Sequence, residues 1–224
     1  MDADFKGIRI KKRWGYELEL FNNGIISCWF LHINEGHETS LHMHANKRTS
    51  MVLIRGTCRL SYLNDSKAIY ALDKTNFGPR FFHRHTAITD SDLIEVEPAN
   101  SKLDLHRFKD AYGREGQPYE GPENYEPLTS KDPQLDRYGA MTLGDALVTV
   151  RQFNARTFRE WAQTLKERSA VVFLKGSLRS PQGVEVVVPG HVVWSSNLPD
   201  LLETTAPDNE IEVMQIWRTK SSTI

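Results

Sequence analysis

The most informative stretch of this chain runs Gly36-His-Glu-Thr-Ser-Leu-His42-Met-His44. His42 and His44 are two residues apart, and side chains alternate between the faces of a β-strand, so on a strand both imidazoles point the same way. Two imidazoles about 7 Å apart along a strand can converge on one cation, and imidazole binds several divalent transition metals. The spacing therefore indicates a metal site, although surface histidines or histidines held by hydrogen bonds would show the same pattern.

Short apolar segments separated by turn residues surround this pair. Between Gly24 and Glu97 the segments are rich in Val, Ile, Leu, Phe and Tyr, and Asn, Asp, Gly and Pro interrupt them, which is typical of a β-sandwich or barrel. The predicted strands are Ile25–Ile33, Ser50–Ile54, Thr57–Leu63, Lys67–Leu72 and Leu93–Glu97.

The stretch resembles the first motif of the cupin superfamily, G-x5-H-x-H, three or four residues, Glu, six residues and Gly. Gly36, His42, His44 and Gly56 fall at its positions, and Gly78-Pro-Arg-Phe-Phe-His83 is similar to the second motif. The resemblance implies an all-β fold, a cupin β-barrel of jelly-roll type. It also implies that His83 joins His42 and His44 around one divalent metal ion, which could be Fe, Mn, Zn or Ni.

The sequence departs from the cupin pattern at Thr49, where the family carries a ligand Glu. Three histidines with open coordination positions are a workable catalytic arrangement, but the change is equally compatible with weak or lost metal binding. His85 lies two residues after His83, so it is a candidate fourth ligand or acid/base group. Glu38, expected at the barrel mouth, is the second candidate catalytic residue.

A second resemblance concerns the substrate. The segment from His83 to Arg114 looks like the tail of small sugar-processing cupins related to type II phosphomannose isomerase/mannose-1-phosphate guanylyltransferase, and Trp14-Gly15-Tyr16-Glu17 looks like their opening. This resemblance covers about residues 10 to 116 and implies a sugar or sugar phosphate as the small-molecule partner. Because guanidinium and ammonium groups bind phosphate, the candidate substrate-binding residues are Lys47, Arg48, Arg80, Arg107 and Arg114. A purely structural ion-pair seam of Asp104, Arg107, Asp110 and Arg114 is the alternative.

The first half of the chain is echoed in the second. MVLIRGTCRL at residues 51–60 resembles VVFLKGSLRS at 171–180, and SDLIEVE at 91–97 resembles NEIEVMQIW at 209–217. This predicts a bicupin, unless two amphipathic hairpins are similar by chance. The second half has no first motif: a helix capped by Asn154 or Thr157 is predicted there, and His191 stands alone, so this half is predicted to be degenerate.

The predicted domains are a metal-binding barrel over residues 1–108, an irregular connector over 109–141 and a degenerate cupin-like half over 142–224. The connector is predicted because this segment has no apolar period.

Composition narrows the class of partner. The formal net charge is −1, which argues against nucleic-acid binding. No apolar run reaches the roughly 20 residues that span a bilayer, and the charged N-terminus lacks the apolar region of a signal peptide. Cys28 and Cys58 are expected to be buried free thiols, so we expect a cytoplasmic protein without a membrane partner.

These observations favour a metal-dependent isomerase or epimerase acting on a sugar or sugar phosphate in carbohydrate or polysaccharide biosynthesis. A three-histidine Fe(II) dioxygenase and a non-catalytic sugar-binding protein are the alternatives. Partner strands commonly cover the exposed sheet edges of such barrels, so a homodimer is expected.

Overall fold

The chain is predominantly β-structure, as the sequence predicts. The structure, a computed structural model, describes residues 4–165 and 168–219, so the outermost parts of the predicted ranges, residues 1–3 and 220–224, lie outside it. It divides into two compact units, one ending at Pro133 and the other beginning at Gln134. All strand pairs in both are antiparallel, so the predicted all-β fold is confirmed.

The first unit consists of strands that form two main sheets. The strands are β1 (Ile8–Lys12), β2 (Gly15–Asn22), β3 (Ile26–Ile33), β4 (Leu41–Met43), β5 (Thr49–Arg55), β6 (Thr57–Ser61), β7 (Ser66–Tyr70), β8 (Lys74–Phe77), β9 (Arg84–Ala87), β10 (Ser91–Pro98), β11 (His106–Lys109) and β12 (Tyr125–Pro127). The larger sheet has the order β12-β1-β2-β3-β10-β5-β8 and the smaller has the order β7-β6-β9, while β4 pairs with β11.

The two sheets enclose one core. Trp29, Leu53 and Leu93 from the larger sheet form a buried cluster with Cys58 and Leu60 from the smaller one. Strands distant in sequence, such as β3 and β10, are neighbours in the sheet, which is the connectivity of a jelly roll. Full burial of one Leu side chain stabilises the fold by roughly 1.5–3 kcal/mol, so this shared core holds the sheets together.

The second unit repeats this arrangement. Its elements are β13 (Ala140–Leu143), β14 (Ala146–Phe153), α1 (Ala155–Thr164), β15 (Ser169–Lys175), β16 (Leu178–Arg179), β17 (Glu185–Val187), β18 (Val192–Trp194), α2 (Leu198–Thr204), β19 (Ala206–Pro207) and β20 (Ile211–Arg218). The order β14-β20-β15-β18 matches β3-β10-β5-β8, and β17-β16-β19 matches β7-β6-β9. The predicted internal repeat is confirmed.

In chain order, helix α1 lies between β14 and β15 of the second unit, whereas the first unit has β4 between the matching strands β3 and β5. Asn154 caps it: its side chain accepts a hydrogen bond from the backbone N–H of Thr157, and the Thr157 hydroxyl accepts one in return. Phe158 and Trp161 pack on Phe173 and other residues of the local core. The predicted helix is confirmed.

The segment predicted as a connector contributes to the first unit. β12 lies within residues 109–141 and pairs with β1 at the edge of the larger sheet, where Ile10 faces Tyr125. Tyr119 and Tyr125 pack against the core of this unit, so aromatic contacts order a segment that has no apolar period. No helix among the described residues is both long and apolar enough to cross a membrane.

A glycine in each repeat turns the chain from one sheet into the other. Gly56 lies between β5 and β6 with φ +88°, and Gly176 occupies the corresponding place with φ +76°. A Cβ on Gly56 would overlap the carbonyl oxygen of Asp90, and one on Gly176 would overlap that of Glu210. Both positions therefore require glycine for its backbone conformation and for space.

Gly56→Ala is predicted to lower the free energy of unfolding by about 2–4 kcal/mol, since strain and overlap act together. Gly24→Ala is the matched control, because Gly24 also has a positive φ, +82°, but open space around it, and about 1 kcal/mol is expected. Urea unfolding followed by tryptophan fluorescence measures both. Equal losses in the two variants would contradict the close approach at Gly56.

Candidate metal centre

Three histidines meet on the inner side of the first unit. His42 lies on β4 and forms an isolated bridge with His83, and His44 follows two residues after His42. The ring centroids are 4.4 Å apart for His42 and His83, 5.0 Å for His42 and His44, and 5.4 Å for His44 and His83. The structure thus brings together the three residues that the sequence nominates as metal ligands.

Backbone carbonyls orient all three rings. The Nδ1 atoms of His42, His44 and His83 lie 2.8, 2.6 and 3.0 Å from the carbonyl oxygens of Ser40, Asp104 and Phe81. A carbonyl only accepts, so each Nδ1 carries the proton and donates it, which leaves Nε2 with a free lone pair.

The remaining nitrogens suit a metal ion. One ligand atom from each histidine can be chosen so that all three lie within 4.8 Å of one another, and Nε2 of both His44 and His83 is buried without a hydrogen-bond partner. A buried polar atom without a partner costs about 1–3 kcal/mol. Coordination would satisfy these lone pairs, so the donor set fits one divalent cation.

The histidines are neutral at physiological pH. Burial, followed by the neighbouring His83 and His44, lowers the pKa of His42 well below its usual value. Burial also lowers the pKa of His44 to about 3 and that of His83 to about 4. Because only neutral imidazole binds a metal, these ligands need no deprotonation at pH 7.

Thr49 lies where the sequence motif would place a fourth ligand. It is buried, and its Oγ1 has no hydrogen-bond partner. Among the described residues, the cluster that could hold a metal contains histidines and no carboxylate.

A carboxylate from another strand faces the same cavity. Glu95 on β10 is opposite Met51 of β5, and its Oε1 is 3.9 Å from Nε2 of His44. Sequence reasoning did not single out Glu95. The signal was the alternation in SDLIEVE, which places Glu95 and Glu97 on the same face as the core residue Leu93.

Glu95 is ionised and paired. Burial acts to raise its pKa, but the cations Lys102 and Lys47 outweigh burial and hold the pKa well below the usual range. Lys102 Nζ lies 2.7 Å from Glu95 and 3.5 Å from Glu17. Burial lowers the pKa of Lys102, but Glu17 and Glu95 raise it by more, so the ammonium is charged.

The histidines open into a cavity of about 60 Å³ with strongly charged walls. Its charged lining residues are Lys12, Glu17, Lys47, Glu95, Lys102, Arg107, Arg114 and Glu120. Three of the predicted substrate-binding residues, Lys47, Arg107 and Arg114, are therefore in the wall.

The structure does not bring Arg48 and Arg80 into this cavity. Arg48 is exposed in the segment just before β5, and Arg80 is exposed at a turn with φ +64°. The alternative ion-pair seam is realised only between Arg114 and Asp110, 2.7 Å apart. The carboxylate of Asp104 instead accepts hydrogen bonds from the backbone of residues 45–47.

The two predicted catalytic residues have different surroundings. His85 lines the cavity, its ring centroid is 6.2 Å from that of His83, and its Nε2 is buried without a partner. Glu38 does not line the cavity: its carboxylate accepts hydrogen bonds from Arg84 at 2.7 Å and Thr86 at 3.0 Å.

No protein-family model and no curated protein sequence matches this chain. Solved structures similar to it include KdgF from Halomonas sp., with 13% identity and a TM-score of 0.36 over 44% of this chain and 84% of that one. A cupin-2 domain protein from Shewanella frigidimarina has 14% identity and a TM-score of 0.35 over 39% and 83% of the two chains. A salicylate 1,2-dioxygenase from Pseudoaminobacter salicylatoxidans, in complex with gentisate, has 15% identity and a TM-score of 0.35, over 38% of this chain and 25% of its own length. These similarities concern part of the chain and its fold.

Lowering the pH from 6.5 to 5 is predicted to destabilise the metal-free protein. Histidines with a lowered folded-state pKa stay neutral in the fold while the unfolded chain takes up protons, so their contribution is full above pH 6.5 and is lost as the pH falls. Burial lowers the pKa of His85 to about 3, and each such histidine adds a slope of about 1.4 kcal/mol per pH unit. Urea unfolding at several pH values measures this slope.

His85→Gln is expected to remove one histidine's share of the slope, because burial lowers the pKa of His85 to about 3. A stability that does not depend on pH in this window would contradict the burial of the neutral imidazoles.

Proposed function

We propose that the first unit is a metal-dependent enzyme that isomerises a small, oxygen-rich substrate of the sugar or sugar-acid type. The observation that carries this proposal is the set of three histidines whose Nδ1 atoms are fixed by backbone carbonyls and whose Nε2 atoms share one charged cavity. His42, His44 and His83 would hold one divalent ion, of which Fe, Mn, Zn and Ni all accept imidazole.

A metal ion bound there would act as a Lewis acid toward a carbonyl or hydroxyl oxygen. The protein's own groups would move the proton. Isomerisation takes a proton from one carbon and returns it to its neighbour, so a base inside the cavity is sufficient.

Glu95 is the candidate base that the geometry favours. Lys102 and Lys47 hold its pKa low, and a carboxylate of low pKa accepts a proton poorly, so the proposal requires a bound substrate that draws these cations away from Glu95. Its carboxylate is ionised, faces the cavity and lies next to His44. After Glu95 takes up a proton, the Lys102 ammonium still has a counterion, because Glu17 lies 3.5 Å from it. His85 is buried and neutral and lies in the same wall, where it can relay a proton. Glu38, bound to Arg84 and Thr86, is the less favoured candidate.

The cations of the cavity would orient an anionic substrate. Lys12, Arg107 and Arg114 line the same space as the histidines, and fixed guanidinium groups make strong, directional hydrogen bonds to carboxylate and phosphate oxygens. Positioning of this kind can supply a large share of a rate enhancement.

A three-histidine dioxygenase is the second candidate. The observation in its favour is Thr49, which leaves the histidine cluster without a carboxylate ligand. The relationship to the phosphomannose isomerase branch, the role in polysaccharide biosynthesis and the homodimer remain predictions from the sequence.

The test begins with protein purified without chelator and assayed for bound metal. The protein is then incubated in D₂O with panels of sugars, sugar phosphates and sugar acids, while NMR follows exchange at the substrate carbons and an electrode follows oxygen. The proposal expects exchange at a carbon next to a carbonyl, without oxygen uptake, and its loss in His83→Ala. Oxygen uptake without exchange would favour the dioxygenase, and binding with neither would indicate a non-catalytic protein.

Glu95→Gln is predicted to lower turnover at least about 100-fold, the usual contribution of a general base, while the metal content stays at the wild-type level. Glu97→Gln is the matched control: Glu97 lies on the same face of the same strand and pairs with Lys47, but it does not line the histidine cavity, so a change of only several-fold is expected. Steady-state kinetics and metal analysis measure both. A Glu95→Gln enzyme with wild-type turnover would assign the proton transfer to another group.

A further inference from the structure

Three cations of the cavity converge on one carboxylate of the chain itself. Oε1 of Glu120 accepts hydrogen bonds from Arg107 at 3.0 Å and Arg114 at 2.7 Å, and Oε2 accepts a short one from Lys12. The side chains of Glu120, Lys12 and Arg107 are all at least nine-tenths buried. Two guanidinium groups and an ammonium around one carboxylate have the composition of a carboxylate-binding site.

The charges leave room for one monoanion. Lys12 also contacts Glu17 at 2.9 Å, and Arg114 also contacts Asp110 at 2.7 Å. Among the described residues, the other hydrogen bonds of the Arg107 side chain go to the backbone carbonyls of residues 117 and 118. Lys12, Arg107 and Arg114 together carry three positive charges, and Glu17 and Asp110 carry two negative ones. Glu120 neutralises the one positive charge that remains.

Arg107 has binding capacity that the fold does not use. Its Nε is buried and has no hydrogen-bond partner, although its side chain lines the cavity. A buried guanidinium donor that has no protein partner and lies in a cavity wall is available to a ligand.

Glu120 also separates two spaces. On one side is the histidine cavity of about 60 Å³, and on the other is an outer groove of about 700 Å³. Lys12, Arg114, Tyr119 and Glu120 line both. Because the Glu120 side chain is part of the wall that the two spaces share, its displacement would open that wall toward the groove.

Little regular structure holds Glu120 in place. Residues 110–121 contain turns and bends but no helix or strand, so displacement of the side chain does not require a strand to separate from a sheet. The cost is mainly the loss of the three ionic contacts, and an incoming anion would replace these.

We infer that Glu120 is an internal stand-in for the carboxylate of the substrate, and that a substrate carboxylate displaces it and binds Lys12, Arg107 and Arg114. This inference rests on the proposed function insofar as the cavity is that of the metal centre. The substrate would then be a carboxylate, such as a sugar acid, because the place that the Glu120 carboxylate occupies accommodates a planar monoanion. A phosphate monoester carries nearly two charges at pH 7.

The experiment compares anion binding by wild type and Glu120→Gln, which keeps the size of the side chain and removes its charge. The probes are the monocarboxylate glycolate, inorganic phosphate and uncharged glycolamide, titrated calorimetrically into metal-free and zinc-loaded protein. We expect Glu120→Gln to bind glycolate about ten-fold more tightly, since it no longer has to release an internal competitor. The gain should be present without metal and lost in the double variant Arg107→Gln/Glu120→Gln.

Glu126→Gln is the matched control, because it removes one carboxylate from an exposed pair with Lys11 and changes the net charge equally. Equal glycolate affinity in wild type and folded Glu120→Gln would overturn the inference. So would an equal gain in Glu126→Gln, or a gain for phosphate alone.

A second measurement does not depend on the stability of the variant. In wild type, saturating glycolate should speed hydrogen exchange in residues 110–121, because the contacts of Glu120 are lost. Unchanged or slower exchange would contradict displacement. If the protein binds zinc but Glu120→Gln does not change glycolate affinity, this inference alone is refuted. If Glu120→Gln gains glycolate affinity but the protein binds no metal, the metal centre alone is refuted.

Discussion

The arrangement depends on three hydrogen bonds from imidazole Nδ1 to backbone carbonyls. They fix which nitrogen of His42, His44 and His83 carries the proton and turn the other nitrogen toward a common point. Two of the carbonyls lie two residues before their own histidine, at Ser40 and Phe81, so the local backbone sets them. The third, at Asp104, comes from the segment before β11 and ties that segment to the site. The same hydrogen bonds therefore orient the three imidazoles and connect the segments that form the cavity wall.

Charge balance is the second constraint. The inner face of the larger sheet carries Glu17, Glu95 and Glu97, and a buried charge without a partner would cost several kcal/mol. Lys102 and Lys47 neutralise these carboxylates at close range. Such pairs add little to stability compared with an apolar core, so their presence next to the histidines is better explained by chemistry than by folding.

Within its described residues, the second unit lacks these charges. Ser169 and Gln215 occupy the positions of Thr49 and Glu95 and hydrogen-bond to each other, and helix α1 packs where the first unit has its histidine strand.

The sequence predicts the parts of this structure that follow from local periodicity. Alternation on a strand places His42 and His44 on one face, the echo of residues 51–60 at 171–180 predicts the repeat, and Asn154 with Thr157 marks the start of α1. The sequence does not single out Glu95, because the role of a carboxylate in a core strand depends on neighbours that only the tertiary structure shows. Glu120 could not be predicted, because its partners Lys12, Arg107 and Arg114 are brought together by the tertiary fold from segments that lie up to 108 residues apart. For the same reason, the sequence could not distinguish the exposed side chains of Arg48 and Arg80 from the buried side chain of Lys47, since all three carry the same charge.

The central claim is that three imidazoles of one chain bind one metal ion through Nε2. X-ray absorption spectroscopy of the zinc-loaded protein tests it most directly. The account predicts one zinc per chain with three imidazole nitrogens at about 2.0–2.1 Å and oxygen in the remaining position. A zinc ion that does not bind stoichiometrically, or that binds with fewer than three imidazoles, would contradict it.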